Sequence, residues 1–171
     1  MTSLNSNMVL DTRFLERLSH LPDELSKAAK RSLVKTNQWL RAVSMADLGY
    51  ELTIDSKALA TRFRVYKSGA TSKLWVGVRK IGVHRLGSPV QTDSGVKVAG
   101  HFFPHAFIAP MDSDKLLVFR RQNKARKSIQ MVTLDISQES EEIIDSYLPD
   151  LNRKFEEFFH REFNYILSGS K

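Results

Sequence analysis

The sequence predicts an α+β fold, with a long N-terminal helix, a twisted antiparallel β-sheet with extended loops and a C-terminal amphipathic helix. Helical spacing of apolar residues marks both ends of the chain, whereas the middle shows alternating or short apolar runs. A length of 171 residues suits one domain with a single core. Within that domain we distinguish an N-terminal arm (1–21), a helical segment (22–61), a β region (62–136) and C-terminal helices (137–168).

The helical segment begins at Pro22, because proline and the acids that follow are favourable in a first helical turn. Helical spacing then predicts one long helix from Pro22 to Leu48, stopped at Gly49. One edge of this helix is rich in Ala, Ser and Thr, which permits close packing on a sheet or on a neighbouring subunit. Residues 54–56 cap a short helix over 57–60, and residues 11–20 suggest a short amphipathic turn or helix.

The β region opens with alternating basic and apolar residues at 62–66, which indicates a strand with one positive, solvated face. Residues 74–78 form a second strand, which 83–86 continue after a break at Gly82. Residues 91–98 predict a hairpin turned at 93–95.

Two further strands, 107–109 and 116–119, flank a turn at 112–114. Alternation returns over 128–136, with Val132 and Ile136 on the side opposite to residues such as Met131. The strands together predict an antiparallel sheet.

The C-terminal end is helical, with an acidic helix over 137–147 and a second helix that starts at 148–150. Its wide apolar stripe consists of Leu151, Phe155, Phe158, Phe159, Phe163, Ile166 and Leu167. The stripe requires a cover, and we expect either the sheet of the same domain or a neighbouring subunit. The residues predicted to pack in the core or between subunits are Trp39, Trp75, Phe119, Phe155, Phe159, Phe163 and Ile166.

Charge is distributed unevenly along the chain, whose net charge is +7. Residues 57–127 hold fifteen basic and three acidic groups, a net charge of +12, whereas residues 128–171 carry −5 and residues 1–56 are neutral. This asymmetry favours contact with a polyanion or head-to-tail contact between copies of the chain. The alternative is a basic face that is merely solvated.

Composition excludes several classes of site. Because there is no cysteine, disulfides, thiolate nucleophiles and cysteine-bound metals are ruled out. No apolar run approaches the roughly 18–20 residues of a membrane span, and the N-terminus lacks a secretion signal. We therefore expect no membrane partner and a protein that stays in the cytosol of the cell that makes it.

The chain carries no recognisable catalytic pattern. His101 and His105 lie four residues apart, but Pro104 forbids the helix that would aim both at one metal, so loop histidines are expected. Neither a GxSxG turn nor a phosphate-binding glycine loop is present. The acids Asp93, Asp112 and Asp114 fall at turn tips, where aspartate serves the backbone. We expect no enzyme activity, no metal and no cofactor.

The strongest charge signal is a basic loop at residues 120–127, with five cations in eight residues. Such a loop binds phosphates without reading bases, or binds an acidic protein surface, unless it is only a solvated loop. It contains no aromatic residue for base stacking. The candidate contact residues are Arg62, Arg64, Arg120, Arg121, Lys124, Arg126 and Lys127.

The order of these features resembles the prophage minor tail protein Z family, the tail-completion proteins of lambda-like phages. The resemblance runs over residues 25–167, through the long helix and the segments DSKAL (55–59), RFRV (62–65), LWVGV (74–78), HRLG (84–87), HAFIA (105–109), VFRR (118–121), KAR (124–126) and FE to FNYIL (155–167). It implies a structural virion protein that completes the head-proximal end of the tail and helps to join it to the head.

The resemblance also implies partners and an arrangement. These are other copies of the chain in a sixfold ring, the tail terminator, tail tube or head-completion proteins, and the end of the genomic DNA. A ring requires a heterologous interface, to which a cationic middle and an anionic C-terminal end are suited. The alternative from the residues alone is a nonspecific DNA-binding protein acting through the basic loop at 120–127. A hydrolase lacks a recognisable site.

Overall fold

A computed structural model describes residues 23–110, 115–123 and 128–169, and within them the predicted α+β class is confirmed. The helices are α1 (Asp23–Glu51), α2 (Ser56–Ala60), α3 (Ser137–Tyr147) and α4 (Leu151–Gly169), with a 3-10 turn at Leu148–Asp150 joining α3 to α4. The expected helix over 11–20 and the proposed start at Pro22 lie outside the described residues.

Helix α1 does not stop at Gly49 but continues to Glu51. A Cβ on Gly49 would lie 3.0 Å from the backbone oxygen of Ile54, so glycine here permits close approach of the returning chain. The stop is made by Thr53, whose φ is 51°. The Ile54 amide donates to the Gly49 carbonyl at 2.9 Å, as in a Schellman motif.

The predicted short helix after this turn is confirmed as α2. Its N-cap is Asp55, whose side chain accepts a hydrogen bond from the amide of Lys57 at 2.7 Å. This bond satisfies one of the amides that a helix start leaves without a partner.

Ten short strands form four small antiparallel sheets in the described residues, rather than the single sheet that the sequence predicts. They pair as β1–β2, β3–β10, β4–β5–β6 and β7–β8–β9. The strands are β1 (Phe63–Ser68), β2 (Thr71–Val76), β3 (Ile81–Gly82), β4 (Val90–Thr92), β5 (Gly95–Val98), β6 (His101–Pro104), β7 (Ala106–Pro110), β8 (Leu116–Arg121), β9 (Ile129–Met131) and β10 (Thr133–Leu134).

Local turn chemistry explains most of the hairpins. Thr92 pairs with Gly95 across the predicted turn, and a Cβ on Gly95 would meet the backbone oxygen of Phe103 at 2.2 Å. Ala99 and Gly100 both have positive φ, as a two-residue type I′ turn requires. The expectation that 83–86 continues a strand is wrong, because Val83–Arg85 is a 3-10 turn after β3.

The four sheets are joined by a few bonds between neighbouring strands. The Gln91 side chain donates to the carbonyl of Gly95 and accepts from the amide of Ile108, both at 2.9 Å, so it connects β4 and β5 to β7. The Val132 amide donates to Val118 at 2.8 Å, and the Val132 carbonyl accepts from Val83 at 3.1 Å. The sheets thereby share one apolar core with α1 and α3.

The C-terminal stripe packs mainly on α1 and not on a sheet, which corrects the expected cover. Lys35 of α1 bonds to Glu162, and Lys154 lies over the Trp39 ring at 5.7 Å. Because contacts that come later in α1 meet earlier positions in α4, the two helices run antiparallel. The small residues on one edge of α1 permit this approach, since Ala28 and Ser32 are fully buried.

Helix α1 lies between α4 and the β1–β2 hairpin. On the hairpin side, the Asn37 amide donates to the Ser72 hydroxyl at 2.9 Å and Arg41 Nε donates to the Phe63 carbonyl at 2.8 Å. Lys35 and Asn37 are two residues apart, which is about 200° around a helix of 3.6 residues per turn. Helix α4 and the hairpin therefore lie on opposite sides of α1.

Candidate functional site

The outer face of the β1–β2 hairpin presents cations over aromatic surface. Arg64 is paired with Trp75 across the two strands, and its guanidinium lies 5.9 Å from the centre of the indole. A Cβ on Gly77 would come within 2.5 Å of that indole, so the glycine provides space for it. The exposed Tyr66 opposes Lys73 on the same face. Trp75 is thus half-buried on the outer face, beneath Arg64.

Arginines from separate segments lie beside this hairpin. The Gly77 amide donates to the Arg62 carbonyl at 2.8 Å, so the segment that carries Arg79 passes next to Arg62. Burial, followed by the charges of Arg85 and Arg79, lowers the pKa of Arg62. Arg62 precedes β1, Arg79 lies between β2 and β3, and Arg85 ends the 3-10 turn. Because the charges of Arg85 and Arg79 both disfavour the charged form of Arg62, an anion placed beside Arg62 would be bound favourably. We call Arg62, Arg79 and Arg85 the arginine cluster.

A groove of about 530 Å³ opens beside β8 and β9. Its cations are Lys80, Arg120 and Arg121. The polar and apolar residues that complete its lining are Gln122, Gln130, Met131, Val132 and Thr133. We call this depression the basic groove. It brings Arg120 and Arg121 of the predicted basic loop together with Lys80 from a distant segment.

The carboxylate of Asp135 pairs with Lys80 of the groove. Asp135 lies 3.5 Å from Lys80, and both side chains are more than half exposed, so water weakens the pair. Hydrogen bonds from Ser137, with the nearby Lys80 charge, lower the pKa of Asp135. Asp135 therefore accepts hydrogen bonds from Ser137 at the start of α3, and its exposed ion pair with Lys80 offsets little of the positive charge of the groove.

His84 lies in the same cationic field. Burial, followed by the charges of Arg85 and Lys115, lowers the pKa of its imidazole. Its Nδ1 is buried and has no hydrogen-bond partner among the residues that the structure describes. A Cβ on Gly82 would come within 2.6 Å of the ring, so this glycine makes room for it. His84 is therefore expected to stay neutral at neutral pH.

Some of the other residues singled out in the sequence lie in the described part of the chain, and others do not. Lys124, Arg126 and Lys127, like Asp112 and Asp114, lie outside the described residues. His101 contacts the Leu52 carbonyl with Nε2 at 2.5 Å, and His105 adopts a positive φ of 58° between β6 and β7.

The predicted packing residues are buried to different degrees. Phe119 and Phe155 are buried, and Trp39 packs edge-on against Tyr147 at 5.6 Å. Phe159, Phe163 and Ile166 are half-buried. Phe155, Phe159 and Phe163 stack in sequence, with 6.0 Å between successive ring centres, and we call these three rings the aromatic row.

The buried Glu162 is a feature that the sequence argument missed. It lies seven residues after Phe155, in register with the apolar stripe, and retains only 7% exposure. Arg31 and Lys35 of α1 pair with it. The sequence did contain a signal for this ion pair. Glu162 occupies an apolar position of its helix, and the other long helix carries cations four residues apart, at Arg31 and Lys35.

The described residues hold neither a metal-binding cluster nor a membrane-spanning helix. No group of three or more His, Asp or Glu side chains there is close enough together to hold a metal ion. None of the helices in the described ranges has the length and apolar character needed to cross a membrane.

Comparisons with protein-family models, with curated proteins and with solved structures found no match to this chain.

Proposed function

We propose that this protein is a non-catalytic structural component of tailed-phage particles that completes the head-proximal end of the tail. In this proposal, copies of the chain form a ring that follows the sixfold symmetry of the tail. The ring contacts the tail terminator, the tail tube or head-completion proteins, and takes part in joining the tail to the head. The resemblance described above suggests the role, and the arrangement of surfaces around α1 supports it.

The observation that carries the proposal is the presence of two unlike surfaces on opposite sides of α1. One side bears α4 with its aromatic row, of which Phe159 and Phe163 remain partly exposed. Tyr165 and Leu167 further along α4 are exposed by 68% and 55%. Aromatic side chains in such positions are typical of interface cores.

The opposite side of α1 bears the outer face of the β1–β2 hairpin, with Arg64 over Trp75. A heterologous ring joins one surface of each subunit to a different surface of the next. Guanidinium groups bind well to the faces of aromatic rings. The hairpin of one copy therefore complements the aromatic row of its neighbour, and contacts of this kind repeat around a closed ring.

A gene deletion in a phage that encodes this chain tests the role. The expected result is normal numbers of filled heads and of tails, with few or no infectious particles, restored by the wild-type gene supplied in trans. Electron microscopy of the lysate distinguishes unjoined parts from missing parts. Normal infectivity of the deletion strain would contradict the proposal, and so would absence of the protein from purified particles.

A further inference from the structure

The arginine cluster and the basic groove meet at two consecutive residues. Arg79 belongs to the cluster and Lys80 lines the groove, and neighbouring Cα atoms are separated by about 3.8 Å. The segment between β2 and β3 therefore joins two groups of cations that come from distant parts of the chain. We call these two groups of cations together the cationic band.

Little acidic charge offsets this band. Residues 57–110 and 115–123 hold nine and three Lys or Arg side chains, and Asp93 is the single acid among them. Asp93 occupies the turn between β4 and β5, and Asp135 forms an exposed ion pair with Lys80. Bringing like charges together raises the free energy of the folded protein, and a bound polyanion would lower it again.

The lining of the groove indicates the kind of polyanion. Arg120, Arg121 and Lys80 supply charge, whereas Gln122 and Gln130 supply neutral amide donors. Protein interfaces are organised around an apolar core, but the exposed apolar surface lining this groove is limited to Met131, at 39% exposure. No aromatic ring is among the described lining residues, so stacking of single-stranded bases is not favoured.

We propose that the cationic band binds the phosphodiester backbone of duplex DNA without regard to sequence. Arginine and lysine neutralise successive phosphates and release their counterions, while the amides donate to phosphate oxygens. This inference goes beyond the proposed function, which names protein partners.

Binding of a short DNA duplex to the purified full chain, measured by fluorescence anisotropy at several salt concentrations, tests the proposal. The wild-type affinity should fall steeply as salt rises and should be the same for two unrelated sequences. In Lys80→Gln/Arg120→Gln/Arg121→Gln, we expect about tenfold weaker binding or worse, with a salt dependence shallower by about two to three units.

A matched control separates the band from net charge alone. Lys27→Gln/Lys30→Gln/Lys97→Gln removes the same charge from exposed positions on α1 and β5, and should change affinity less than about twofold, as expected from charge spread away from the contact. Equal weakening by the control would overturn the proposal, as would the absence of DNA binding by the wild type. Circular dichroism verifies that each variant is folded.

Two more arms test the remaining elements of the inference. Arg79→Gln/Arg85→Gln should also weaken binding, and an unchanged affinity would overturn the inclusion of the arginine cluster in the band. Duplex RNA bound as well as DNA would support recognition of the phosphodiester backbone. An acidic polypeptide such as polyglutamate that binds more tightly than the duplex would assign the groove to a protein partner and overturn the proposal. The result of the deletion experiment does not depend on any of these outcomes, so the two proposals can fail separately.

Discussion

Single residues decide where the elements of this chain end. Gly49 looks like a helix terminator in the sequence, yet it lies within α1. Glycine is favoured at this position because the backbone oxygen of Ile54 lies 3.0 Å from where a Cβ would be. Thr53 makes the left-handed turn instead, with a φ of 51°. A β-branched residue is strained in that region.

We expect Thr53→Gly to raise the free energy of unfolding by about 0.5–1 kcal/mol. Relief of left-handed strain, worth about 1–2 kcal/mol, exceeds the added chain entropy of glycine, about 0.4–1 kcal/mol. The measurement is the midpoint of urea unfolding. Thr61→Gly serves as the control. Thr61 ends α2 with a φ of −78°, which is unstrained, so glycine at this position should only destabilise the protein. Loss of stability in both variants would show that Thr53 is not strained.

At the scale of elements, α1 and α4 are joined by a buried carboxylate. Glu162 is almost fully enclosed, whereas the Arg31 and Lys35 side chains that pair with it remain 54% and 44% exposed. The two sides of this ion pair therefore differ in their access to water. Removal of the carboxylate lets the cations rehydrate, but removal of the cations leaves a buried charge without compensation.

This asymmetry predicts that Glu162→Gln lowers the free energy of unfolding by about 1 kcal/mol. The double variant Arg31→Met/Lys35→Met should lower it more, by about 2–3 kcal/mol. Urea unfolding at neutral pH and moderate salt measures both. Glu157→Gln is the control, since Glu157 pairs with Lys154 and Arg161 on the solvent side of α4 and should leave the midpoint unchanged. A larger loss in Glu162→Gln than in the double variant would refute the argument.

On the scale of the whole molecule, the aromatic row of α4 combines packing inside the monomer with apolar surface that another molecule can contact. The aromatic row begins in the core at Phe155, which is 7% exposed, and runs outward to the half-buried Phe159 and Phe163. One line of rings therefore stabilises the monomer at one end and presents apolar surface at the other. That division makes the two roles separable by mutation.

Phe155→Ala should cost about 3 kcal/mol of stability, as expected for a large core side chain. Phe163→Ala should cost about 1 kcal/mol but reduce self-association measured by sedimentation velocity. Phe102→Ala removes a ring of 44% exposure from β6 and should leave association unchanged. If Phe163→Ala self-associates as the wild type does, the aromatic row is not an interface.

Local patterns were sufficient for much of the fold. Apolar spacing predicted α1 and α4, Asp55 predicted the start of α2, and the turn residues around Asp93 predicted the β4–β5 hairpin. The alternation over 128–136 placed Val132 and Ile136 on the side opposite to Met131, and in the structure Val132 and Ile136 are buried and Met131 is exposed. These features depend on neighbours within a few residues, and so short segments of sequence carry them.

The sequence by itself determined the α+β class, the two amphipathic helices and the concentration of positive charge in the middle of the chain. Only the tertiary structure decided that α4 packs on α1, that the strands divide among four sheets, and that the charges of Arg79 and Arg85 act on Arg62. The reason is that these arrangements join segments distant in the chain. Their partners are selected by the shape and burial of the whole core, which a periodic pattern does not encode.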